Sequence, residues 1–255
     1  IDVVGTGGDG KDTFNISTLS CFVLAGAGEK IIKQGNYGTS SVSGSSNMLD
    51  NFGYEFSVNQ DKLKREFEEV GITFLHAPLF HPALAKVAPI RKGLAIKTFF
   101  NLMGPLVNPV QPEFQNLGTY DVKTARLYHY VMQNSGVKYS ISTALAGYDE
   151  VSLTSPTKVF NNSGEFVLES KDFGLNILQP DEIKGGKSIE ENSKIFLSVL
   201  EGNSTKAQKE VVLANAALAL KTIYPTKDLI ECVAIANESL DSKKALNVFQ
   251  KLMKP

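Results

Sequence analysis

The sequence has few cysteines, no excess of either charge and no long apolar run, and each shortage excludes a class of protein. Its 255 residues carry a formal net charge of -1, whereas a dedicated nucleic-acid binder usually has a basic excess. No apolar run is long enough to span a bilayer, and no basic segment followed by an apolar one marks a secretory signal. We therefore expect neither a nucleic-acid partner nor a membrane partner.

Cysteine and histidine are also too scarce for a disulfide framework or a zinc site. Cys21 and Cys232 both lie in apolar runs that predict helices, which predicts reduced core residues in a cytoplasmic protein. No Cys/His spacing typical of a metal site occurs, and Gly44-Ser45-Ser46 lacks the closing glycine of a serine nucleophile elbow. The chemistry must therefore come from other residues.

What the sequence does contain is a glycine-rich turn directly after its first strand. Ile1 to Val4 is rich in β-branched residues, which suit a buried strand. Gly5-Thr6-Gly7-Gly8-Asp9-Gly10 follows, and the next apolar helix has three N-cap candidates, Asn15, Ser17 and Thr18. Free N–H groups at such a helix start favour an anion such as a phosphate. A plain glycine-rich turn explains the stretch equally well.

Strand and helix signals alternate along the chain, which predicts an α/β fold with a mostly parallel central sheet flanked by helices. Lys30 to Lys33 predicts a second strand, which leads into a loop of small residues over 35–46. The stretch 78–109 is apolar and interrupted by prolines, which predicts a helical insertion outside the sheet. We predict that 1–77 and 110–255 form the α/β domain and that 78–109 belongs to a helical lobe.

Two loops of this kind on neighbouring strands could bind two phosphate groups at the carboxyl end of a sheet. Lys33 stands just before the second loop, where it could add a positive charge. Asp149-Glu150 follows a predicted strand, and paired carboxylates suit Mg²⁺ that also binds substrate phosphates. A solvated lysine and a solvated acidic turn are the alternatives.

In their order along the chain, these motifs resemble those of the anthranilate phosphoribosyltransferase family. The matching stretches are Gly5-Thr6-Gly7-Gly8-Asp9, Asn15-Ile16-Ser17-Thr18, Lys33 to Ser45, His81-Pro82-Ala83, Asn101 to Pro109 and Asp149-Glu150. The resemblance implies a homodimer, each subunit with a helical lobe and an α/β lobe. It also implies that anthranilate and phosphoribosyl pyrophosphate are joined with loss of pyrophosphate, using Mg²⁺, in tryptophan biosynthesis.

The resemblance also implies roles for particular residues. Phosphoribosyl pyrophosphate would be held by Gly5, Gly8, Asp9, Thr13, Asn15, Ile16, Ser17, Thr18, Lys33, Gly35, Ser41 and Ser45. Mg²⁺ would be held by Ser17, Asp149 and Glu150. Anthranilate would contact Gly5, Asn36, His81 and Arg91, with Arg91 facing its carboxylate. No acid or base is implied, and Lys33 would stabilise charge.

Two departures from the family pattern stand out. Gln34 and Tyr37 occupy positions where the family usually has histidine and arginine, which removes possible substrate contacts. The family also has helices ahead of the first motif, so we expect a preceding segment and expect this chain alone to be incomplete as an enzyme. Two other functions stay open. One is a pyrimidine nucleoside phosphorylase, which needs no paired carboxylates, and the other is a non-catalytic nucleic-acid-binding relative.

Overall fold

The structure, a computed structural model, describes residues 1–38, 42–83, 86 and 102–254. Its strands are β1 (Asp2–Gly5), β2 (Ile31–Gly35), β3 (Ile72–His76), β4 (Phe114–Gly118), β5 (Lys138–Ala144), β6 (Thr157–Asn161) and β7 (Gly164–Leu168). The larger sheet has the order β1-β4-β5-β6-β7. Its first three strands are parallel, and β6 and β7 are antiparallel. The predicted mostly parallel core is thus confirmed, and β6 and β7 form a hairpin that closes between Asn161 and Gly164.

The two-stranded sheet of β2 and β3 is also parallel and lies beside β1. The Ile32 amide donates to the Ile1 carbonyl at 3.0 Å, which links β2 to β1. β1 therefore has β2 on one side and β4 on the other, and the chain reverses its direction of winding between them. In open α/β sheets, ligands bind at the carboxyl ends of strands around such a switch point.

The helices alternate with the strands and then dominate the carboxyl-terminal part. They are α1 (Ile16–Gly26), α2 (Ser45–Asn51), α3 (Gln60–Arg65), α4 (Ala77–Phe80), α5 (Val122–Met132), α6 (Ile189–Glu201), α7 (Lys206–Ile223), α8 (Leu229–Asp241) and α9 (Lys244–Leu252). Short 3₁₀ helices cover Gly104–Leu106, Ser170–Phe173 and Pro180–Ile183, and a π-helical turn covers Glu66–Val70. Within the described ranges, no helix is both long enough and apolar enough to cross a membrane.

Helix α1 is the centre of the main core, because apolar neighbours cover it on all sides. Leu19, Phe22 and Val23 are fully buried, and α1 packs against α7 and α9. Cys21 and Cys232 are both free and buried, as the sequence predicts. The rigid packing of α1 fixes the position of its amino-terminal end, which faces the carboxyl end of β1.

Most of the predicted helical insertion over 78–109 lies outside the described residues. Its beginning includes the end of α4, and its end includes the 3₁₀ helix Gly104–Leu106. These two flanks lie close to β2, because Gln34 contacts both His81 and Gly104. The assignment of 78–109 to a separate helical lobe stays a prediction.

Candidate active site

A cavity of about 280 Å³ lies at the carboxyl ends of β1 and β2. It is lined by the glycine-rich loop after β1, the start of α1, the end of β2 with its following loop, the first residues of the Gly104–Leu106 helix, and Asp149 with Glu150. Sequence analysis predicts that two loops and an acidic pair lie near one another, and the structure brings all three to one cavity.

The first loop depends on residues that adopt the left-handed backbone region. Gly7, Gly8 and Gly10 have φ values of 64°, 74° and 69°, and Asp12 has φ 50°. Glycine adopts this region without steric cost, whereas Asp12 adopts it at a small cost. The Asp12 carbonyl accepts a 2.7 Å hydrogen bond from the Gly185 amide, which holds this end of the loop in place.

The start of α1 differs from the prediction that its polar residues cap the helix. Asn15 occupies the N-cap position but makes no side-chain cap hydrogen bond. Its Nδ2 instead donates to the Ser43 carbonyl at 3.0 Å, which ties the first loop to the second. Ser17 and Thr18 lie inside the first turn of the helix. The Ile16 amide donates to the Phe14 carbonyl at 2.6 Å. The next N–H groups of a helix start have no partner within the helix, so they can bind an anion in the cavity.

Several buried polar atoms of the first loop and of the start of α1 have no hydrogen-bond partner among the residues that the structure describes. They are Thr6 Oγ1, Asp9 Oδ2, Asn15 Oδ1 and Thr18 Oγ1. Buried polar atoms are normally paired, and an unpaired one costs about 1–3 kcal/mol. Four such atoms around one cavity indicate that this surface is built for a polar or charged ligand.

The second loop is held in place by a side chain of the helix that follows it. Asn47 Oδ1 accepts from the Gly38 amide at 2.8 Å and from the Gly44 amide at 3.0 Å. A Cβ at Gly44 would lie 2.2 Å from the Gly38 nitrogen, so this tight approach requires glycine. Gly35, Asn36 and Ser45 also line the cavity. Ser41, predicted as a phosphate ligand, lies outside the described residues.

Lys33 is almost completely buried beneath the two loops. Its Nζ donates to the Val3 carbonyl and lies 3.5 Å from Ser17 Oγ. Asp2, also buried, provides the compensating negative charge, and burial raises the pKa of that carboxyl while Lys33 opposes the change. Lys33 therefore acts as a fixed positive charge in the floor of the cavity, and it is not the solvated strand-end lysine of the alternative interpretation.

Asp149 and Glu150 reach the first loop from the turn that follows β5. The Gly7 amide donates to Asp149 Oδ2 at 2.6 Å, and Thr13 Oγ1 donates to Glu150 Oε1 at 2.8 Å. Burial, and next the nearby Asp9, raise the pKa of Asp149 to about 6. Burial and the charge of Asp149 raise the pKa of Glu150 as well. Because ionised carboxylates this close repel one another, a bound cation would stabilise their charged forms.

The acidic residues fit Mg²⁺ that is shared with substrate phosphates. Among the described residues, no group of three or more His, Cys, Asp or Glu side chains is arranged so that it could hold a metal ion by itself. Mg²⁺ usually takes only one or two carboxylates and leaves its other positions to water and phosphate oxygens. Asp149 and Glu150 supply two such carboxylates. Asp9 Oδ2, close to Asp149, has no hydrogen-bond partner among the described residues.

The cavity has two chemically different ends. We call Asp9, Asp149 and Glu150 the acidic end, which lies on the β4 side of β1. We call Gln34, Ala77, Gly104 and Pro105 the neutral end, which lies on the β2 side. Described lining residues contribute four carboxylates, from Asp9, Asp12, Asp149 and Glu150, and one ammonium group, from Lys33.

Most residues singled out by the sequence line this cavity. They are Gly5, Gly8, Asp9, Thr13, Asn15, Ile16, Ser17, Thr18, Lys33, Gly35, Asn36, Ser45, Asp149 and Glu150. His81 is not in the lining and contacts it through Gln34. Arg91 lies outside the described residues. Sequence reasoning assigned no role to Gly7, Gly104 or Pro105, although all three belong to stretches that match the family.

Sequence reasoning also missed Gly118, the last residue of β4. Gly118 pairs with Gly5 across the sheet. A Cβ at Gly118 would lie 1.7 Å from the Asp149 carbonyl oxygen, and one at Gly5 would lie 2.3 Å from Asp149 Oδ2. The two glycines therefore make the space in which Asp149 approaches the first loop. No local sequence signal shows this, because the contact joins residues far apart in the chain.

Comparison with known proteins agrees with this fold and cavity. The family model described as glycosyl transferase family, a/b domain, matches residues 1–246. The anthranilate phosphoribosyltransferase of Cytophaga hutchinsonii is 54% identical over 254 residues, which cover 100% of this chain and 77% of that protein. The enzyme of the same name from Bacteroides fragilis is 49% identical over 99% of this chain and 76% of that protein.

Solved structures give the same result. The anthranilate phosphoribosyltransferase of Thermus thermophilus superposes with a TM-score of 0.92 at 32% identity, covering 99% of this chain and 76% of that one. The Saccharomyces cerevisiae enzyme, in complex with phosphoribosyl pyrophosphate and Mg, has a TM-score of 0.92 at 32% identity, covering 99% of this chain and 72% of that one. The chain belongs to the glycosyl transferase family and, within it, to the anthranilate phosphoribosyltransferases.

Proposed function

We propose that this chain transfers the phosphoribosyl group from phosphoribosyl pyrophosphate to the amine of anthranilate and releases pyrophosphate, a step of tryptophan biosynthesis. The relatives named above support the reaction. The observation in this molecule that carries the proposal is the hydrogen bond from the Gly7 amide to Asp149 Oδ2, because it joins the phosphate-type loop and the acidic pair in one cavity. The charge of the lining supports it further, since a polyphosphate cannot approach four carboxylates without cations between them.

The first loop, the start of α1 and Ser45 would hold the phosphate groups through backbone N–H groups and hydroxyls. Ser17, Asp149 and Glu150 would hold Mg²⁺, which when bound supplies positive charge that stabilises the departing pyrophosphate. Gly5, whose small size admits Asp149 beside it, would contact the ligand next to the acidic end. Lys33 lies buried in the floor of the cavity, below the same groups.

The acceptor would enter at the neutral end, where Asn36 is exposed and Gln34, Gly104 and Pro105 line the cavity. An aromatic amine is already neutral at pH 7, so its attack on the oxocarbenium-like ribose carbon needs no strong base. Catalysis would then depend on positioning and charge stabilisation. We propose that Arg91 faces the anthranilate carboxylate and that Ser41 contributes to phosphate binding, as the family resemblance implies.

Calorimetric titration of phosphoribosyl pyrophosphate into the protein, with and without Mg²⁺, tests the proposal. We expect saturable binding with Mg²⁺ and at least a tenfold weaker response when EDTA removes it. The double variant Asp149→Asn, Glu150→Gln should lose Mg²⁺-dependent binding and turnover of anthranilate, measured by the loss of its fluorescence. Unchanged turnover in that variant, or phosphorolysis of uridine without Mg²⁺, would refute the assignment and favour a nucleoside phosphorylase.

We also propose that the enzyme is homodimeric and cytoplasmic and that 78–109 belongs to a helical lobe. The buried, unpaired Cys21 and Cys232 support a reducing compartment. Sedimentation or light scattering tests the dimer, and fractionation of cells tests the compartment. A monomer at micromolar concentration would contradict the first of these.

A further inference from the structure

Gln34 is a buried amide at the neutral end, in the position where the strand β2 ends. The residue is 3% exposed. Its backbone N–H donates to Asp2 Oδ1 at 3.2 Å, and Asp2 Oδ2 in turn accepts from Asn108 Nδ2 at 2.8 Å. The backbone of Gln34 is therefore fixed before its side chain makes any contact.

Both ends of the Gln34 amide meet residues from another part of the chain. Nε2 donates to the Gly104 carbonyl at 2.9 Å, and Oε1 lies 3.4 Å from His81 Nε2. A carbonyl oxygen can only accept a hydrogen bond, so the amide NH₂ group must face Gly104. The amide oxygen must then face His81, and a hydrogen bond there requires a proton on His81 Nε2.

His81 and Gly104 lie on opposite flanks of the connection between α4 and the Gly104–Leu106 helix. One side chain of β2 thus contacts the chain just before this connection and again just after it. Gly104 also lines the cavity, together with Gln34 and Pro105. These contacts therefore hold both flanks against the end of β2, the strand that also carries Lys33.

We propose that Gln34 is a positioning residue for the acceptor end of the site. It keeps His81 in the Nε2–H tautomer and holds both flanks of the connection at the end of β2, which sets the width of the neutral end. The structural part of this inference stands on the contacts alone, and its kinetic consequence rests on the proposed function. A residue that acts only on folding would change neither a tautomer nor one substrate's KM selectively.

Two variants separate the two contacts. Gln34→Glu keeps the shape and an acceptor for His81 Nε2–H but places a carboxylate oxygen against the Gly104 carbonyl. Gln34→Met keeps a similar volume and removes both hydrogen bonds. The control is Gln133→Met, because Gln133 Nε2 makes the other glutamine–histidine contact among the described residues, 3.0 Å from His129 Nε2 on an exposed face.

The first measurement is the ¹⁵N NMR spectrum of the histidine rings at about pH 8.5, above the usual histidine pKa of about 6.5. The chain has 3 histidines, so variants can assign each ring. We expect His81 to show protonated Nε2 in the wild type and in Gln34→Glu, and a mixture of tautomers in Gln34→Met. Gln133→Met should change the His129 signals alone. A wild-type His81 protonated on Nδ1, or unchanged in Gln34→Met, would overturn the proposal.

The second measurement is steady-state kinetics with both substrates varied. Gln34→Met and Gln34→Glu should each raise KM for anthranilate about tenfold, the effect of one or two lost hydrogen bonds. KM for phosphoribosyl pyrophosphate should stay within about twofold, because the acidic end is untouched. Equal rises in both KM values would overturn the positioning role. A wild type that neither turns over anthranilate nor binds phosphoribosyl pyrophosphate in the presence of Mg²⁺ would contradict the proposed function, while the NMR result would still decide the role of Gln34.

Discussion

The acidic end and the neutral end of the cavity are built by different physical means. Burial, and next the like charges concentrated at the acidic end, raise the pKa of Asp149 and of Glu150. The neutral end has its polar groups already paired, as the Gln34 amide shows with its two partners. The first end therefore needs a cation to become stable, whereas the second is complete before any ligand arrives. Recognition of charge and recognition of shape are thus placed on opposite sides of β1.

The sharpest way to test this comparison is the same substitution at both ends. In Gly118→Ala the new Cβ would lie 1.7 Å from the Asp149 carbonyl oxygen, so the turn that carries the acidic pair must move. A displacement of about 1 Å at a catalytic group costs roughly a hundredfold in rate. We expect at least that loss in Mg²⁺-dependent turnover, with weaker binding of phosphoribosyl pyrophosphate by calorimetry.

Gly104→Ala provides the matched control at the neutral end. Among the residues that the structure describes, nothing lies within 4 Å of a Cβ at Gly104, and its backbone carbonyl stays available to Gln34. This variant should unfold at the wild-type temperature and keep Mg²⁺-dependent binding of phosphoribosyl pyrophosphate. If Gly118→Ala also kept that binding within about threefold, the proposed packing of Asp149 on the strand ends would be wrong.

Gly118 also shows where prediction from sequence stops. The glycine-rich loop, the acidic pair and the alternation of strands and helices are local patterns, so the sequence predicts them together with their order. That Gly5 and Gly118 leave room for Asp149 is a contact across three strands, which no local pattern encodes. Asn15 is a second case. Its residue type favours capping through the side-chain oxygen. In the structure the side-chain nitrogen donates to the Ser43 carbonyl, and the oxygen makes no cap hydrogen bond.

A smaller effect is expected on the free energy of unfolding, and it can be seen by comparing two glutamates that are about equally buried. Glu150 and Glu66 are 9% and 8% exposed. Glu66 accepts hydrogen bonds from Tyr54 Oη at 2.8 Å and Thr73 Oγ1 at 2.7 Å, whereas Glu150 accepts one from Thr13 and faces Asp149. Because the pKa of Glu150 is raised in the folded state, its ionised form costs stability at neutral pH. That cost disappears as the pH falls towards about 4.3, the value for an unfolded glutamate.

We therefore expect Glu150→Gln to stabilise the metal-free protein by about 1 kcal/mol at pH 7 while it weakens Mg²⁺-dependent binding. Glu66→Gln should instead destabilise by about 1–3 kcal/mol, because it disturbs a compensated buried carboxylate. Urea unfolding in EDTA measures both. A destabilised Glu150→Gln variant would show that the acidic end is not strained by its charge.

The smallest expected effect is on the stability of the β2–β3 side. Here a fall in pH should destabilise the protein, whereas at Glu150 it should stabilise it. His76, at the end of β3, is 7% exposed, and its Nδ1 lies 2.8 Å from Ser46 Oγ in the helix that follows the second loop. Burial lowers the pKa of His76, and Asp50 partly opposes this. A base with a lowered folded-state pKa contributes stability that is present above the unfolded value of about 6.5 and is lost as the pH falls through the folded value. Protonation would place a charge between the rings of Tyr37 and Phe56.

His76→Asn should therefore reduce the loss of stability between about pH 7 and pH 5 by about 0.5 kcal/mol relative to the wild type, measured by urea unfolding. If the two proteins lose stability in parallel over this range, the protonation of His76 is not coupled to folding.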